Sequence, residues 1–249
     1  MIINNYNPVI NFQSNKRYYK AGPYNETIGT QTVVNREDLD FKNTAKIILK
    51  LYKDAPKINI YSVACSDGSE AYTLAMQLLE SESYKGEANK CFPITATDID
   101  PTILRCANSK RLNMTNEDIN RLKNDGIDYR KYFTPAEKKM YIMNDHLDEE
   151  TKTFLAKNNI KDHIKFERKT ILQQANEITR DIPNVFCCRN VLPYVGDDAE
   201  QIRHLQKIGR KLGNNDLLII GDFDRSLRNI KELKLLGFKE IARNVFKKH

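Results

Sequence analysis

One stretch constrains this chain more than any other: Ile60-Tyr61-Ser62-Val63-Ala64-Cys65-Ser66-Asp67-Gly68-Ser69-Glu70. It reads as an apolar strand that runs through a turn of small residues straight into a helix. Small side chains at 62, 64, 65, 66 and 68 let the backbone approach a ligand closely, and Gly68 can take backbone angles closed to other residues. The rest of the chain repeats the same alternation. A helix is expected where Leu39, Ile47, Ile48, Leu51 and Tyr52 recur near helical spacing, ending at Ala55-Pro56. A β-rich run over residues 57–64 precedes a helix over 69–80, whose Ala71, Leu74, Ala75, Leu78 and Leu79 make a buried face. Residues 91–97 read as a second strand, followed by a helix over 101–109 with Pro101 in its first turn, where a missing N–H costs nothing. A strand at 185–188, a helix at 199–212 ended by Gly213, and a strand at 216–221 continue the pattern. The last two runs, 237–242 and 245–248, predict a terminal antiparallel hairpin.

Such alternation predicts an α/β fold with an open, doubly wound, mostly parallel sheet and helices on both faces. The 249 residues suit one domain of this class. The expected organisation is an N-terminal arm at 1–37, poor in periodicity and rich in Asn, Tyr, Thr and Gly, followed by one domain at 38–249. Polar residues 112–168, with Lys131-Tyr132-Phe133-Thr134-Pro135 as a landmark, read as an inserted subdomain.

Composition excludes several classes. Apolar runs are strand-sized, far short of the ~20 residues of a membrane span. Residues 1–15 lack a basic region followed by an apolar core, so a cytoplasmic protein without membrane insertion is expected. Cys65, Cys91, Cys106, Cys187 and Cys188 show no paired metal-ligand spacing, and His146, His163, His204 and His249 are scattered, so no metal is expected. The net charge is +7, yet the lysines are spread along the chain rather than clustered with aromatics, which disfavours nucleic acid as a partner.

In a doubly wound sheet, ligands bind beyond the carboxyl ends of the strands. The turn after the first strand holds a single glycine, so neither the G-x-G-x-x-G fingerprint nor a phosphate-binding G-K-[ST] is present. Asp67 and Glu70 would repel a pyrophosphate and suit a ligand with a cationic amino group and a sulfonium. The second strand ends in Ala96-Thr97-Asp98-Ile99-Asp100-Pro101. There a carboxylate can accept both ribose hydroxyls of an adenosine or cap the next helix; position favours Asp98 as the ligand and Asp100 as the cap. Together the two segments predict a pocket for S-adenosylmethionine (SAM).

These residues resemble the CheR-type chemotaxis receptor methyltransferases. The family's W-S-x-G-C-S-T-G-E-E-x-Y-S-L-A is similar to the run from Tyr61 to Ala75, its A-T-D-I-D matches Ala96-Thr97-Asp98-Ile99-Asp100, and its Y-F matches Tyr132-Phe133. Its F-C-R-N-V-L-I-Y-F matches Phe186-Cys187-Cys188-Arg189-Asn190-Val191-Leu192-Pro193-Tyr194-Val195 with one residue inserted or substituted near the first cysteine, and its T-x-F-F-R falls on Thr32-Val33-Val34-Asn35-Arg36 without the aromatics. The resemblance implies a Rossmann-like methyltransferase fold with SAM as cofactor and S-adenosylhomocysteine as product. It implies that Thr32 and Arg36 contact the methionine part, Arg36 at its carboxylate. Ala64 and Glu70 line the amino-acid end, Asp98 holds the ribose, and Thr170 and Ile171 flank the adenine. Asn190 and Val191 approach from the opposite side, and Tyr194 lies close to the transferred methyl.

Departures from the family are the lost aromatics, Ala64 for Gly, Ser69 for Glu, Pro193 in the C-R-N-V-L block, and Gly221-Asp222-Phe223-Asp224 where the family has G-H-S-E. The usual helical N-terminal domain and the glycine-rich receptor-binding hairpin are not expected. The resemblance implies transfer of a methyl group to a protein glutamate, the partner being a chemoreceptor or another signalling protein with an acidic acceptor. Such a carboxylate is already ionised at pH 7, so no general base is needed. Arg189 reads either as a guide for an acidic substrate or as a structural ion pair, and Tyr194 either as a neighbour of the sulfonium or as a packing residue. Two alternatives stand beside this reading: a SAM-binding module acting through partners with little catalysis, and a methyltransferase for RNA or a small molecule.

Overall fold

The computed structural model describes residues 19–20, 27–28, 34–81, 86–137 and 151–249. Thr32 and most of the expected 1–37 arm lie outside the described residues, apart from two short strands, β1 (Tyr19–Lys20) and β2 (Thr27–Ile28), which pair antiparallel.

Helix α1 (Phe41–Leu51) starts at Asp40, whose side chain accepts the N–H of Asn43. Its buried Phe41, Thr44, Ala45 and Ile48 recur at helical spacing, which turns one stripe onto the sheet. Then come β3 (Asn59–Val63), α2 (Ser69–Leu79), β4 (Ile94–Asp98) and α3 (Pro101–Asn108). Asp100 caps α3 by accepting the N–H groups of Thr102 and Ile103, with Pro101 at the first helical position. After the insertion the chain forms β8 (Ile164–Arg168), α6 (Ile171–Asn176), β9 (Asn184–Cys188), α7 (Asp198–Lys211), β10 (Leu217–Ile219) and α8 (Leu227–Leu235). The hairpin β11 (Phe238–Ala242) and β12 (Val245–Lys248) follows.

The main sheet has seven strands in the order β11-β12-β10-β9-β3-β4-β8. Five neighbouring strands pair parallel, and only β12 runs against the rest, pairing antiparallel with both β10 and β11, so that β11 points the same way as the other strands. Alternation along each strand sends successive side chains to opposite faces. Ile60, Ala96 and Phe166 join a core with α1 and α2, whereas Tyr61, Val63, Phe186 and Cys188 join another under α6, α7 and α8. Strand β9 is buried throughout, consistent with its central place and unbroken Val185-Phe186-Cys187-Cys188 run. All five cysteines are free, and burial raises the thiols of Cys65, Cys187 and Cys188, keeping them as inert packing groups.

Residues 112–168 divide between two sheets. A separate three-stranded antiparallel sheet is built from β5 (Arg111–Met114), β6 (Phe133–Pro135) and β7 (Lys152–Ala156), in the order β5-β7-β6, accompanied by α4 (Asn116–Asn124) and α5 (Asn158–Lys161). Residues 164–168 belong instead to the main sheet, where β8 pairs with β4 from Ile94↔Ile164 to Asp98↔Arg168. The insertion therefore ends earlier than its polarity suggests. An edge strand with one wet face carries charges at Lys165, Glu167 and Arg168, and these hide the buried Ile164 and Phe166 from a reading of average polarity.

Candidate functional site

Strand order reverses on either side of β3: the chain winds outward through β4 and β8, then crosses to β9 and β10. The crevice beyond the carboxyl ends of β3 and β9 is thus the switch point of the sheet. Two loops face it, 64–68 after β3 and 189–195 after β9.

The first loop is tightly wound. Ala64 and Ser66 adopt left-handed backbone angles, at φ 53° and 51°, and Gly68 sits at φ 88°. A Cβ on Gly68 would lie 2.6 Å from Phe166 Cζ, so only glycine fits where α2 begins. The Cys65 N–H bonds to the Thr97 carbonyl at 2.9 Å, and the Ser66 N–H donates to Asp98 Oδ2 at 2.9 Å. Asp98 Oδ1 accepts the Asp100 N–H at 3.0 Å. Buried at the end of β4, the Asp98 carboxyl is raised above its ordinary value by desolvation, against the pull of these N–H bonds. The Ser66 and Thr97 hydroxyls are buried with no hydrogen-bond partner among the described residues. Asp67 turns inward and accepts from the Ser69 N–H and hydroxyl at 2.9 and 2.6 Å, so it organises the helix start rather than facing the crevice.

Across the crevice lies a cluster of four charges. Arg189 is 2% exposed at its side chain and is held by Glu70 at 2.7 Å through Nη1 and by Asp38 through Nη2. Its guanidinium also stacks 4.9 Å from the centre of the Phe41 ring. Burial opposes the Arg189 charge, but Glu70 and Asp38 more than offset it and hold the group above its ordinary value. Glu70 also accepts the Ser62 hydroxyl at 3.1 Å. Arg36 completes the cluster: burial lowers its guanidinium, while Asp38 and Glu70 favour its charge and Arg189 opposes it. Two cations and two anions therefore lie within electrostatic reach of one another, Arg189 in direct contact with both carboxylates.

Asp38 joins four segments of the chain. Besides Arg189, its carboxylate accepts Asn190 Nδ2 at 2.8 Å and the Asp222 N–H at 3.3 Å, and its carbonyl accepts Asn244 Nδ2 at 2.6 Å. Asn190 adopts φ 55°, and its Oδ1 accepts the Phe223 N–H at 3.1 Å. Gly221 makes room for it, since a Cβ there would stand 2.1 Å from Asn190 Oδ1. Beneath, the buried Asp224 accepts the backbone N–H groups of Gly221, Asn190, Val191 and Leu192, the last two at 3.0 and 2.9 Å. Burial pushes its carboxyl up to about 6, those N–H bonds resisting.

The family described as CheR methyltransferase, SAM binding domain, matches residues 30–240. The chain belongs to the CheR methyltransferase family. A chemotaxis protein methyltransferase of Borreliella burgdorferi is 28% identical over 202 residues, spanning 79% of this chain and 64% of the relative. The chain thus spans less than two thirds of that protein. Among solved structures, N-methyltransferase NodS from Bradyrhizobium japonicum WM9, in complex with S-adenosyl-L-homocysteine, is 15% identical, covers 83% of this chain and 79% of its own, and has a TM-score of 0.41. A TehB-like SAM-dependent methyltransferase from Corynebacterium glutamicum is 14% identical, covers 85% and 89%, and has a TM-score of 0.41.

SAM, with S-adenosylhomocysteine as its product, is the cofactor of this CheR-family domain. The residues present fit it. The interleaved Arg36, Asp38, Glu70 and Arg189 match the carboxylate and ammonium of an amino-acid end. Asp98 keeps lone pairs beyond its two N–H bonds, beside the orphaned Ser66 hydroxyl, as a ribose requires. Of the residues expected from sequence, Ala64, Arg189, Asn190 and Val191 lie in the two loops at the carboxyl ends of β3 and β9, Glu70 in the first turn of α2, Arg36 within electrostatic reach of Glu70 and Arg189, and Asp98 at the end of β4. Thr170 and Ile171 follow β8 on the same edge of the sheet; Thr170 caps α6 through Gln173, and Ile171 is buried beside Tyr61 and Val63. Tyr194 is 68% exposed in the turn Leu192–Tyr194, in the neighbourhood of Arg36. Asp38 and Asp224 escaped the sequence reading. The only hint of the second was the acid-rich departure at 222–224. Among the described residues no group of three or more His, Cys, Asp or Glu could hold a metal ion, and no helix is long and apolar enough to cross a membrane.

Proposed function

We propose that this chain is a SAM-dependent methyltransferase that esterifies the side-chain carboxylate of a protein glutamate, on a chemoreceptor or another signalling protein. The observation that carries the reading is the interleaved Arg36–Asp38–Glu70–Arg189 cluster set across a strand switch from Asp98. Bound there, SAM supplies an electrophilic methyl carbon that passes to the acceptor oxygen as the carbon–sulfur bond breaks, leaving S-adenosylhomocysteine.

The chain's part is binding, orientation and exclusion of water. Arg36 pairs the carboxylate of the amino-acid end, with Thr32 beside it. Glu70 attracts the ammonium, and its own bond to Arg189 fixes where that charge stands. Asp98 accepts the ribose hydroxyls, the backbone at Ala64 allows close approach, and Thr170 and Ile171 flank the adenine. Asn190 approaches with its backbone carbonyl and Val191 with its apolar side chain, because both ends of the Asn190 amide are bonded to Asp38 and Phe223 and the N–H groups of both residues go to Asp224. That commitment also disfavours methylation of an exocyclic amine, which would need a free amide oxygen in the crevice. Tyr194, exposed at the rim, offers its ring to the sulfonium and the incoming acceptor. Arg189 already carries two carboxylates, so its role is to hold Glu70 and Asp38 in place rather than to meet an acidic substrate. A glutamate acceptor enters ionised, and no side chain has to remove a proton.

The test is transfer of labelled methyl from SAM to receptor signalling fragments. Label released as methanol in mild base supports a glutamyl ester. Base-stable label on protein, RNA or a small molecule overturns the acceptor assignment, and tight S-adenosylhomocysteine binding without transfer assigns a regulatory module instead.

A further inference from the structure

The insertion meets the segment just before α1 through the side chain of Asp125. Helix α4 ends at Asp125, where a carboxylate sits against the negative end of the helix and gains nothing from the helix itself. Its Oδ2 instead accepts Asn35 Nδ2 at 2.8 Å and Gln77 Nε2, from α2, at 3.3 Å. Asn35 is 7% exposed and held at φ 54°; its own N–H donates to Thr73 Oγ1 at 3.1 Å, and that hydroxyl bonds to the Ser69 carbonyl at 2.8 Å. Asn35 is therefore pinned from two sides, by α2 through its backbone and by the insertion through its side chain. The next residue is Arg36.

We propose that Asp125 is a positioning residue for cofactor binding: by fixing Asn35 it sets the direction in which Arg36 enters the crevice, so the insertion governs how well the amino-acid end is held. This rests on the reading of Arg36 as the partner of the cofactor carboxylate. It also makes affinity sensitive to whatever docks on the insertion, since a shift of α4 is passed to Arg36 over two residues.

Calorimetry with two probes separates the possibilities: S-adenosylhomocysteine, which carries the amino-acid end, and 5′-methylthioadenosine, which lacks it. Asp125→Ala is expected to weaken S-adenosylhomocysteine about 3- to 10-fold, as loss of one or two half-buried hydrogen bonds implies, with methylthioadenosine changed less than about 2-fold. Asp125→Asn keeps an acceptor oxygen for both donors and is expected to bind both probes like the native protein. Asn35→Gly, free of strain at φ 54°, removes the same link from its other end and should reproduce the selective loss even if Asp125→Ala does not fold. Unchanged S-adenosylhomocysteine binding in Asn35→Gly or Asp125→Ala, with Arg36→Ala weakened, overturns the link and leaves the Arg36 reading standing. Equal weakening of both probes makes Asp125 merely structural and overturns it too. Unchanged binding in Arg36→Ala removes the reading beneath it.

Discussion

Replacing Gly221 by alanine separates steric cause from backbone cause in an unusually clean way. Gly221 lies at φ −100°, ψ 172°, which any residue adopts, so the substitution adds no conformational strain. What it adds is a methyl group 2.1 Å from Asn190 Oδ1 and 2.3 Å from its Cγ. The Asn190 side chain must leave, surrendering its bonds to Asp38 and to the Phe223 N–H. Two buried or half-buried hydrogen bonds contribute about 1 kcal/mol each, and the groups left unpaired add a similar penalty, so a loss of about 2–4 kcal/mol is expected. In an Asn190→Gly background the obstructing side chain is absent and φ 55° at position 190 is unstrained. There Gly221→Ala should be neutral or stabilise by up to about 1 kcal/mol, through reduced freedom of the unfolded chain. Urea unfolding of the four proteins completes the cycle. A change of sign between backgrounds is the expected result. An equal cost in both would refute the reasoning, because the clash would then lie elsewhere than with Asn190.

Ala64→Gly relieves a left-handed residue and should raise stability by about 0.5–1 kcal/mol in the same assay; a loss would mean that the Ala64 methyl packs better than its backbone suffers. Asp98→Ala should weaken S-adenosylhomocysteine and 5′-methylthioadenosine alike, by about tenfold or more, whereas Arg36→Ala should weaken only the first; the reverse pattern would exchange the two ends of the site. Asp98→Ala should also lower stability by about 1–3 kcal/mol, since the Ser66 and Asp100 N–H groups lose their acceptor. Asp224 titrates at about 6 in the fold against an ordinary 3.8, so the folded state binds the proton more tightly. Its contribution is present below pH 4 and is lost as pH rises through 6, by about 3 kcal/mol. The stability difference between the native protein and Asp224→Asn should fall by that amount between pH 4 and 7. A flat difference would show that four N–H donors overcome burial and keep Asp224 ionised.

The parallel strands and their helices were legible because each carries its own local signal: the Asp100-Pro101 start of α3, the apolar run of β9, the stripe of α1. The family and its cofactor were legible for a related reason, since the matching residues, Glu70, Asp98 and Arg189 among them, lie in short strings next to strand ends. Strand β8 was not, because Lys165, Glu167 and Arg168 are exposed or half-buried at a sheet edge and dilute the buried Ile164 and Phe166. Asp38 was not legible either. Its partners at 189–190, 222 and 244 lie in three distant stretches, and nothing about one aspartate of the Glu37-Asp38-Leu39-Asp40 run before a helix tells which of them it will meet. The same distance left open whether Arg189 pairs internally, which only the placement of Asp38 and Glu70 decides.

The convergence on Asp38 also orders events in time. Its bonds to Asn190 and Asn244 span 152 and 206 residues of sequence, so they close only after β9, β10 and the hairpin have found their places around β3. A chain in which those strands had not closed would lack the wall that holds Asp38 against Arg189, and would offer the cofactor half a site. Tight binding becomes available only to molecules whose sheet is complete, and SAM, by binding those alone, draws the folding equilibrium toward them.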